Sequence, residues 1–579
     1  MSGIASLYNY HTTVFTFVIN TFRKSRETSK SSGFFRVERR RELWYATGDG
    51  AALMRNGKQA VEENHEENGI TGKTADKRLH LRRRTGMLEG LQPKEVWKYF
   101  EEICAIPHGS GNVAQISAYL QGFAEEQGLA YIAEPCGNVI IRKDATPGCE
   151  HAPAVVIQGH MDMVAVADDG CGKDLSREGL DVAVSDDGKY VYAKGTSLGG
   201  DDGIALAYGL AVLAADNLRH PAIELVATVD EETGMDGARE LLAEDVMGRR
   251  WLNLDSEDEG ILLAGCAGGL TQKSSFSVSR DTVSGSLLRI AVTGCRGGHS
   301  GTEIDKNRAN AILLLASLIR EMDCGKMLQP LWIEGGEKDN AIPTSAEMVI
   351  CVNDYERYEI CRAFDRAERT LLEAFRRQEQ DLSFVLEETA DGREYMIQEG
   401  SYRVMNPASV ENVLNFLLLV PFGVSAMSTE PKGLVETSNN VGIVRTIGDT
   451  VVVDSSVRSM IPIRKKQLGD KIALLTTLCG GIAERHSEYP GWEFRPDSPL
   501  REAWAETYRE VYGAEPVVQT IHAGLECGLI IEHMPETDAV SFGPNIFDIH
   551  TTKEHMEIGS VERTWKLLVR LLERLGEKE

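Results

Sequence analysis

Five short stretches carry imidazoles and carboxylates at spacings that could do chemistry. His160 and Asp162 lie in Gly159-His-Met-Asp, two residues apart, so in extended backbone they point to the same side. An imidazole beside a carboxylate suits a metal ligand and the group that orients it. Asp201 and Asp202 sit in the glycine-rich loop Gly195-Thr-Ser-Leu-Gly-Gly-Asp-Asp-Gly203. Glu231 and Glu232 follow an apolar run ending at Val229, Asp255 follows Leu254, and His550 lies a few residues past Gly543-Pro544. Taken singly, each reads as a solvated or satisfied loop residue. Taken together, two imidazoles and three ligand carboxylates are a donor set for a borderline-soft metal such as zinc. The set is too large for one zinc with an open position. It suits two zinc ions sharing a bridging carboxylate, about 3.5–4 Å apart. Glu231, next to the ligand Glu232, is then a surplus carboxylate, which hydrolysis needs as a general base toward activated water.

These residues meet only if the segments between them bring them to one edge. Residues 138–142, 154–158, 190–193, 223–229 and 251–254 are predicted strands, and 93–104, 112–127, 204–215 and 237–243 predicted helices. This alternation implies an α/β domain with a mostly parallel central sheet, whose ligands gather outside the carboxyl ends of its strands. After Gly265-Cys-Ala-Gly-Gly269 the texture changes: strands at 287–292, 347–352 and 450–454 and helices at 310–322 and 355–378 form an α+β insertion reaching about Pro490. The α/β pattern returns with a helix at 502–512, strands at 517–520 and 539–542, and a closing helix at 560–575. The expected division is 87–275 for the first catalytic part, 276–490 for the insertion and 491–579 for the second catalytic part.

Composition bounds the partners. A chain of 579 residues exceeds one ordinary core. Its net charge is −26, with about +7 on residues 1–86 and about −33 on the rest, which argues against nucleic acid. The 11 cysteines are odd in number and form no CxxC pair, as expected for reduced thiols in the cytoplasm. Cys104, Cys266 and Cys527 read as small buried thiols. No apolar run approaches the roughly 20 residues that span a bilayer, and no signal peptide is read. Residues 1–86 are basic and aperiodic. The fold is expected to begin at about Met87, the preceding stretch being either an upstream translated extension or a disordered arm.

The motifs already quoted continue with Glu231-Glu-Thr-Gly-Met-Asp-Gly, Leu254-Asp-Ser-Glu, Gly265-Cys-Ala-Gly-Gly, Gly297-Gly-His-Ser-Gly301, Asn340-Ala-Ile-Pro343 and His522-Ala-Gly-Leu-Glu-Cys-Gly528. In this order they resemble the aminoacyl-histidine dipeptidases, the carnosine-hydrolysing, cytosolic nonspecific branch of the dinuclear zinc metallopeptidase clan. The likeness runs from about Met87 to the C terminus. It implies a zinc-peptidase catalytic domain with an inserted α+β lid, two zinc ions per chain (Co2+ or Mn2+ being alternatives), a dipeptide substrate and a homodimer. It also implies roles. His160 and Asp255 would bind one metal, Glu232 and His550 the other, and Asp201 would bridge them; Asp162 would orient His160, and Glu231 would be the general base. The family shows His-Ser-Pro-Asp-Glu or His-Thr-Pro-Asp-Glu at the last ligand, where this chain has His550-Thr-Thr-Lys-Glu554. The missing proline and aspartate leave His555 as the alternative; the register favours His550.

On the substrate side, Arg458 is expected to hold the free carboxylate, since a guanidinium matches it bidentately. Asn340 is a candidate polar clamp, and His522 and Glu526 are candidates for the pocket wall or for packing. His299, between glycines that allow close approach, is expected to hydrogen-bond the oxyanion of the tetrahedral intermediate. In single-lid relatives that histidine comes from the partner subunit. Here the insertion is about twice a small α+β unit of about 100 residues, long enough to supply His299 within one chain. The expected activity is metal-dependent dipeptide hydrolysis, of the Xaa-His type or broader. The alternatives are an amino-acid deacylase or carboxypeptidase of the same clan, or an inactive metal-stabilised binding protein, which would have no use for Glu231. A chain starting at Met87 is expected to fold and to hydrolyse dipeptides at an unchanged rate; insolubility or a large fall in rate would make residues 1–86 part of the working protein.

Overall fold

The structure, a computed structural model, describes residues 86–324, 328–429 and 432–577, all of them inside one compact unit spanning Thr71–Glu579. The reading of residues 1–86 as an extension falls almost wholly outside the described residues.

Two sheets organise the chain. The first has eight strands in the order Ala130–Ala133, Val139–Lys143, Ile223–Thr228, Val155–His160, Arg250–Asn253, Asp538–Ser541, Ile261–Cys266, Val517–Ile521. Its centre is parallel: Val155–His160 pairs in parallel with Ile223–Thr228 on one side and Arg250–Asn253 on the other, and Asp538–Ser541 continues the parallel run. The two strands at the Ala130 edge are antiparallel. Val155–His160 and Ile223–Thr228 are buried along their whole length, which is why they read as continuous apolar runs without alternation. The helix Gly200–Ala214 lies hard on this sheet, buried from Gly200 to Leu213. A Cβ at Gly209 would come within 2.4 Å of Leu225 Cδ1, so this close approach requires glycine there. The helices Lys94–Cys104, Pro499–Tyr512 and Ile558–Gly576 contribute to the same core, with Phe100, Trp504 and Leu568 fully enclosed.

The second sheet is antiparallel and belongs to the insertion. It runs Ser383–Thr389, Ser286–Thr293, Ala346–Val352, Pro330–Gly335, Val435–Ile447, Thr450–Ser459, Gly268–Ser277, Ile482–Tyr489. The helices Ala311–Met322, Asp354–Phe375, Pro407–Leu419 and Pro462–Leu478 share a separate core with it. Asparagines start three of these helices: the side chains of Asn310, Asn353 and Asn406 accept from first-turn amides that have no helical partner. The predicted boundary at 275 falls inside the strand Gly268–Ser277, which pairs with Thr450–Ser459 across the insertion's sheet. The chain therefore enters the insertion at Ala267. The thirteen-residue strand Val435–Ile447 escaped the sequence reading because Glu436-Thr-Ser-Asn-Asn440 is polar, yet these residues are buried and the Thr437, Ser438, Asn439 and Asn440 side chains are hydrogen-bonded. Among the described residues no helix is long and apolar enough to cross a membrane, and all 11 cysteines are free.

Candidate metal centre and substrate cleft

The carboxyl ends of the central parallel strands deliver the first groups. His160 ends its strand, and Gly159 before it is required because a Cβ there would meet both Ala205 Cβ and Asp202 Oδ2 at 2.5 Å. That contact lets the Asp202 carboxylate accept from the His160 amide at 3.2 Å. Asp162 lies on the Nδ1 side of the ring: Nδ1 is 3.0 Å from the Asp162 carbonyl and 3.4 Å from Oδ1. With Nδ1–H donating there, Nε2 is left free to serve as a ligand atom. It faces Asp201 Oδ1 at 3.1 Å and Asp255 Oδ1 at 3.6 Å. The Asp162 carboxylate also accepts from the amides of Glu231 (2.9 Å) and Glu232 (3.3 Å) and from the Ser110 hydroxyl (2.8 Å). One side chain thus sets both the His160 ring and the loop carrying the two glutamates.

A second cluster adjoins the first through Asp201. His550 Nε2 lies 3.2 Å from Asp201 Oδ2 and 3.0 Å from Glu232 Oε1. Three ligand triads result: His160–Asp201–Asp255, Asp201–Glu232–His550 and His160–Glu231–Glu232, each with its atoms within 4.8 Å of one another. His550 adopts φ 62° and Asp230, just before Glu231, φ 53°, left-handed conformations that non-glycine residues hold only where the surroundings impose them. His555 stays outside the cluster, stacked on Phe547 with Nδ1 toward the Lys553 carbonyl at 2.9 Å.

Electrostatics decide what this arrangement can hold. Burial pushes the Asp255 carboxyl up to about 6, with Asp201 and Glu232 adding to the rise. Burial, together with Asp255, Glu526 and Glu232, likewise raises Glu231 well above the usual carboxylate range. The His160 ring would be lowered by burial, but its hydrogen bonds to Asp162, Asp201 and Asp255 raise it well above the ordinary value. His550 is raised to about 10 by Asp201 and Glu232. Buried carboxylates that hold both imidazoles protonated are short of positive charge. The two triads sharing Asp201 offer nitrogen and oxygen donors in the mix that zinc and similar cations take, so the residues fit a pair of divalent metals.

The insertion faces this centre across a cleft of the same chain. A cleft of 780 Å³ is lined by Glu231, Glu232, His299, Asn340, Arg458 and Tyr489 among others. His299 pairs in a two-residue strand with Ala341, next to Asn340. The Thr302 amide donates to His299 Nδ1 at 3.2 Å, which places the ring proton of the neutral form on Nε2. Burial, then the charge of Arg458, lower His299 to about 4, so it stays neutral. Arg458 is 7% exposed; Nη1 donates to the Tyr489 hydroxyl at 3.0 Å, and Nε is buried without a partner. His522 and Glu526 are not on this wall. His522 Nε2 lies 2.7 Å from Ser438 Oγ, and the ring borders a separate cavity of 250 Å³ beside Glu257. Glu526 is wholly enclosed beneath the sheet, accepting from Gln158 at 2.5 Å and from Thr228 at 2.8 Å. The glycine-bearing turn that suggested a pocket lining instead carries their side chains inward.

An α/β sheet with metal-suited triads at its carboxyl edge and an α+β insertion facing them has the site of a metal-dependent hydrolase. The chain belongs to the peptidase family M20/M25/M40, which it matches over residues 156–574. It is 34% identical to the cytosol non-specific dipeptidase of Escherichia coli (strain K12) over 498 residues, covering 85% of this chain and 99% of that protein. The crystal structure of an aminoacylhistidine dipeptidase from Vibrio alginolyticus superposes with a TM-score of 0.75 at 35% identity, over 86% of this chain and 99% of that one.

One residue at this centre went unread in the sequence except as a register mark. Glu554 is 3% exposed, and its carboxylate accepts from four consecutive amides: Leu198 (2.8 Å), Gly199 (3.1 Å), Gly200 (2.8 Å) and Asp201 (3.5 Å). It ties the loop bearing Asp201 to the loop bearing His550. The signal was available: a glutamate four residues past His550 and a Gly-Gly pair before Asp201, where a side chain at Gly200 would press on Glu554 Oε1 at 3.2 Å. Glu554→Gln leaves one acceptor where two oxygens served four donors. It is expected to weaken metal retention at least tenfold in chelator competition while leaving the far-ultraviolet circular dichroism unchanged, as loss of a group behind a ligand does; undiminished retention would remove Glu554 from the metal site.

Proposed function

We propose that this protein hydrolyses dipeptides in the cytoplasm with two divalent metal ions, zinc in the first instance, and that the substrate lies in the cleft between the metal centre and Arg458. The observation that carries the reading is Arg458: a buried guanidinium, with an unpartnered Nε, facing the same cleft as Glu231 and Glu232. A buried cation opposite a metal-suited centre calls for a small anion-bearing substrate whose charge sits a fixed distance from the scissile bond. The dipeptidase names of the relatives in E. coli and V. alginolyticus support dipeptides, including those ending in histidine. The free cysteines and the cytosolic relative support the compartment.

When bound, the metals supply Lewis acidity toward the scissile carbonyl and make water more acidic. The chain does the rest. His160 and Asp255 would hold one ion and Glu232 and His550 the other, with Asp201 shared between the two sets. Asp162 fixes the His160 tautomer and the amides of both glutamates. Glu231 takes the proton of the attacking water and passes it to the departing amine. His299, neutral with its proton on Nε2, donates to the oxygen that gains charge. Arg458 and Asn340 hold the carboxyl end. In a homodimer, His299 acts on the metal centre of its own chain.

Hydrolysis of carnosine and of a panel of dipeptides, with and without a chelator, tests the reading. Turnover of N-acyl amino acids alone would replace it with a deacylase, and chelator-insensitive hydrolysis would overturn it. Glu231→Gln is expected to keep about two metals per chain and to lose activity by orders of magnitude; metal loss would move Glu231 into the ligand set. His299→Ala is expected to cut kcat far more than it changes KM, with metal content unchanged. Mixed oligomers of His299→Ala and Glu231→Gln chains should stay inactive; recovered activity would show that the partner supplies His299.

A further inference from the structure

Two glycine motifs in the sequence have no part in the metal chemistry, Gly265-Cys-Ala-Gly-Gly269 and His522-Ala-Gly524. Both close on the ring of Tyr489. A Cβ at Gly269 would come within 2.4 Å of Tyr489 Cζ and 2.5 Å of its hydroxyl oxygen, and a Cβ at Gly524 within 2.9 Å of Cε2. Gly269 sits on the strand that enters the lid and Gly524 in the catalytic domain, so the ring is held in a slot made by both. Tyr489 ends the last lid strand, and its main-chain carbonyl accepts from Lys465 Nζ at 2.5 Å. Side chain and backbone are thus both fixed, as a recognition group requires.

The hydroxyl of this clamped ring accepts from Arg458 Nη1 at 3.0 Å. An oxygen that accepts from a guanidinium directs its own proton elsewhere, and Tyr489 lines the cleft together with Arg458, Asn340 and Glu231. We propose that Tyr489 is a substrate-binding residue: its O–H donates to the terminal carboxylate of the dipeptide, beside the guanidinium of Arg458, and the glycine slot fixes the direction of that bond. The carboxylate is then read by two donors of different kinds, one charged and one neutral. This rests on the assignment of Arg458 to the carboxyl end.

The test compares Tyr489→Phe and Arg458→Ala with the wild-type holoenzyme on a dipeptide and on the same dipeptide with an amidated C terminus. Tyr489→Phe keeps the ring in its slot and removes only the hydroxyl. It is expected to raise KM for the free-acid dipeptide about tenfold, the worth of one hydrogen bond to a charged group, with kcat and metal content little changed. The wild-type preference for acid over amide should shrink by the same factor. If Arg458→Ala abolishes that preference and Tyr489→Phe leaves it intact, the role of Tyr489 is overturned while the Arg458 assignment stands. If Arg458→Ala itself leaves the preference intact, the carboxyl end lies elsewhere and both fail. A fall in kcat on Tyr489→Phe without a rise in KM would also overturn the proposal. A second variant, Gly524→Ala, crowds the ring without touching the hydroxyl. It should raise KM for the acid in the same direction, and an unchanged KM would show that the slot does not set the bond.

Discussion

Like-charge repulsion in a buried pocket is the constraint from which the rest follows. Asp162, Asp201, Asp202, Glu231, Glu232 and Asp255 crowd one site, where His160 and His550 pair with four of them. Carboxylates brought this close and taken out of water cost several kcal/mol unless cations answer them. The raised carboxyls of Asp255 and Glu231 express that shortage, and so do the raised imidazoles of His160 and His550. Bound metal would resolve it and would then define the chemistry. Asp162 and Asp202 accept from backbone amides, and Glu231 lines the cleft beside the metal-suited triads.

Holding repelling groups together requires rigid supports, and the fold uses two. The fully buried parallel strands Val155–His160 and Ile223–Thr228 set the stations at their carboxyl ends. A second layer of hydrogen bonds then fixes the loops. Asp162 accepts from the amides of both glutamates, and Glu554 accepts from the four amides leading into Asp201. These are anionic acceptors placed on backbone donors, among the stronger kinds of hydrogen bond. Glycine appears where the approach is closest, at Gly159 against Asp202 and Ala205.

The insertion supplies the other wall of the cleft. A separately cored insertion carries His299, Asn340 and Arg458 to the cleft opposite Glu231. Arg458 there is buried, with Nη1 donating to the Tyr489 hydroxyl and Nε without a partner. Burial and the charge of Arg458 keep His299 neutral, so it presents an N–H donor to the cleft across the ordinary pH range.

Much of this was legible in the residues. Strand–helix alternation announces an α/β sheet because buried parallel strands read as apolar runs, and the His, Asp and Glu positions at strand ends announce a metal pocket because that is where such sheets leave open ground. Other features were closed to the sequence. The polar stretch Glu436–Asn440 is a buried strand because its side chains find partners across the sheet, and local pattern carries no record of distant partners. His550 and Asp201 are 349 positions apart, and only folding brings them to 3.2 Å. Glu526 and His522 share one motif, yet the direction of each side chain follows from packing against Gln158, Thr228 and Ser438, residues far away in the chain. The sequence by itself determined which chemistry the chain could carry, because ligand types and their place at strand ends are local. The tertiary structure alone decided which side chains line the cleft and that His299 shares it with Glu231 and Glu232 of its own chain, because those depend on contacts between segments far apart in the sequence.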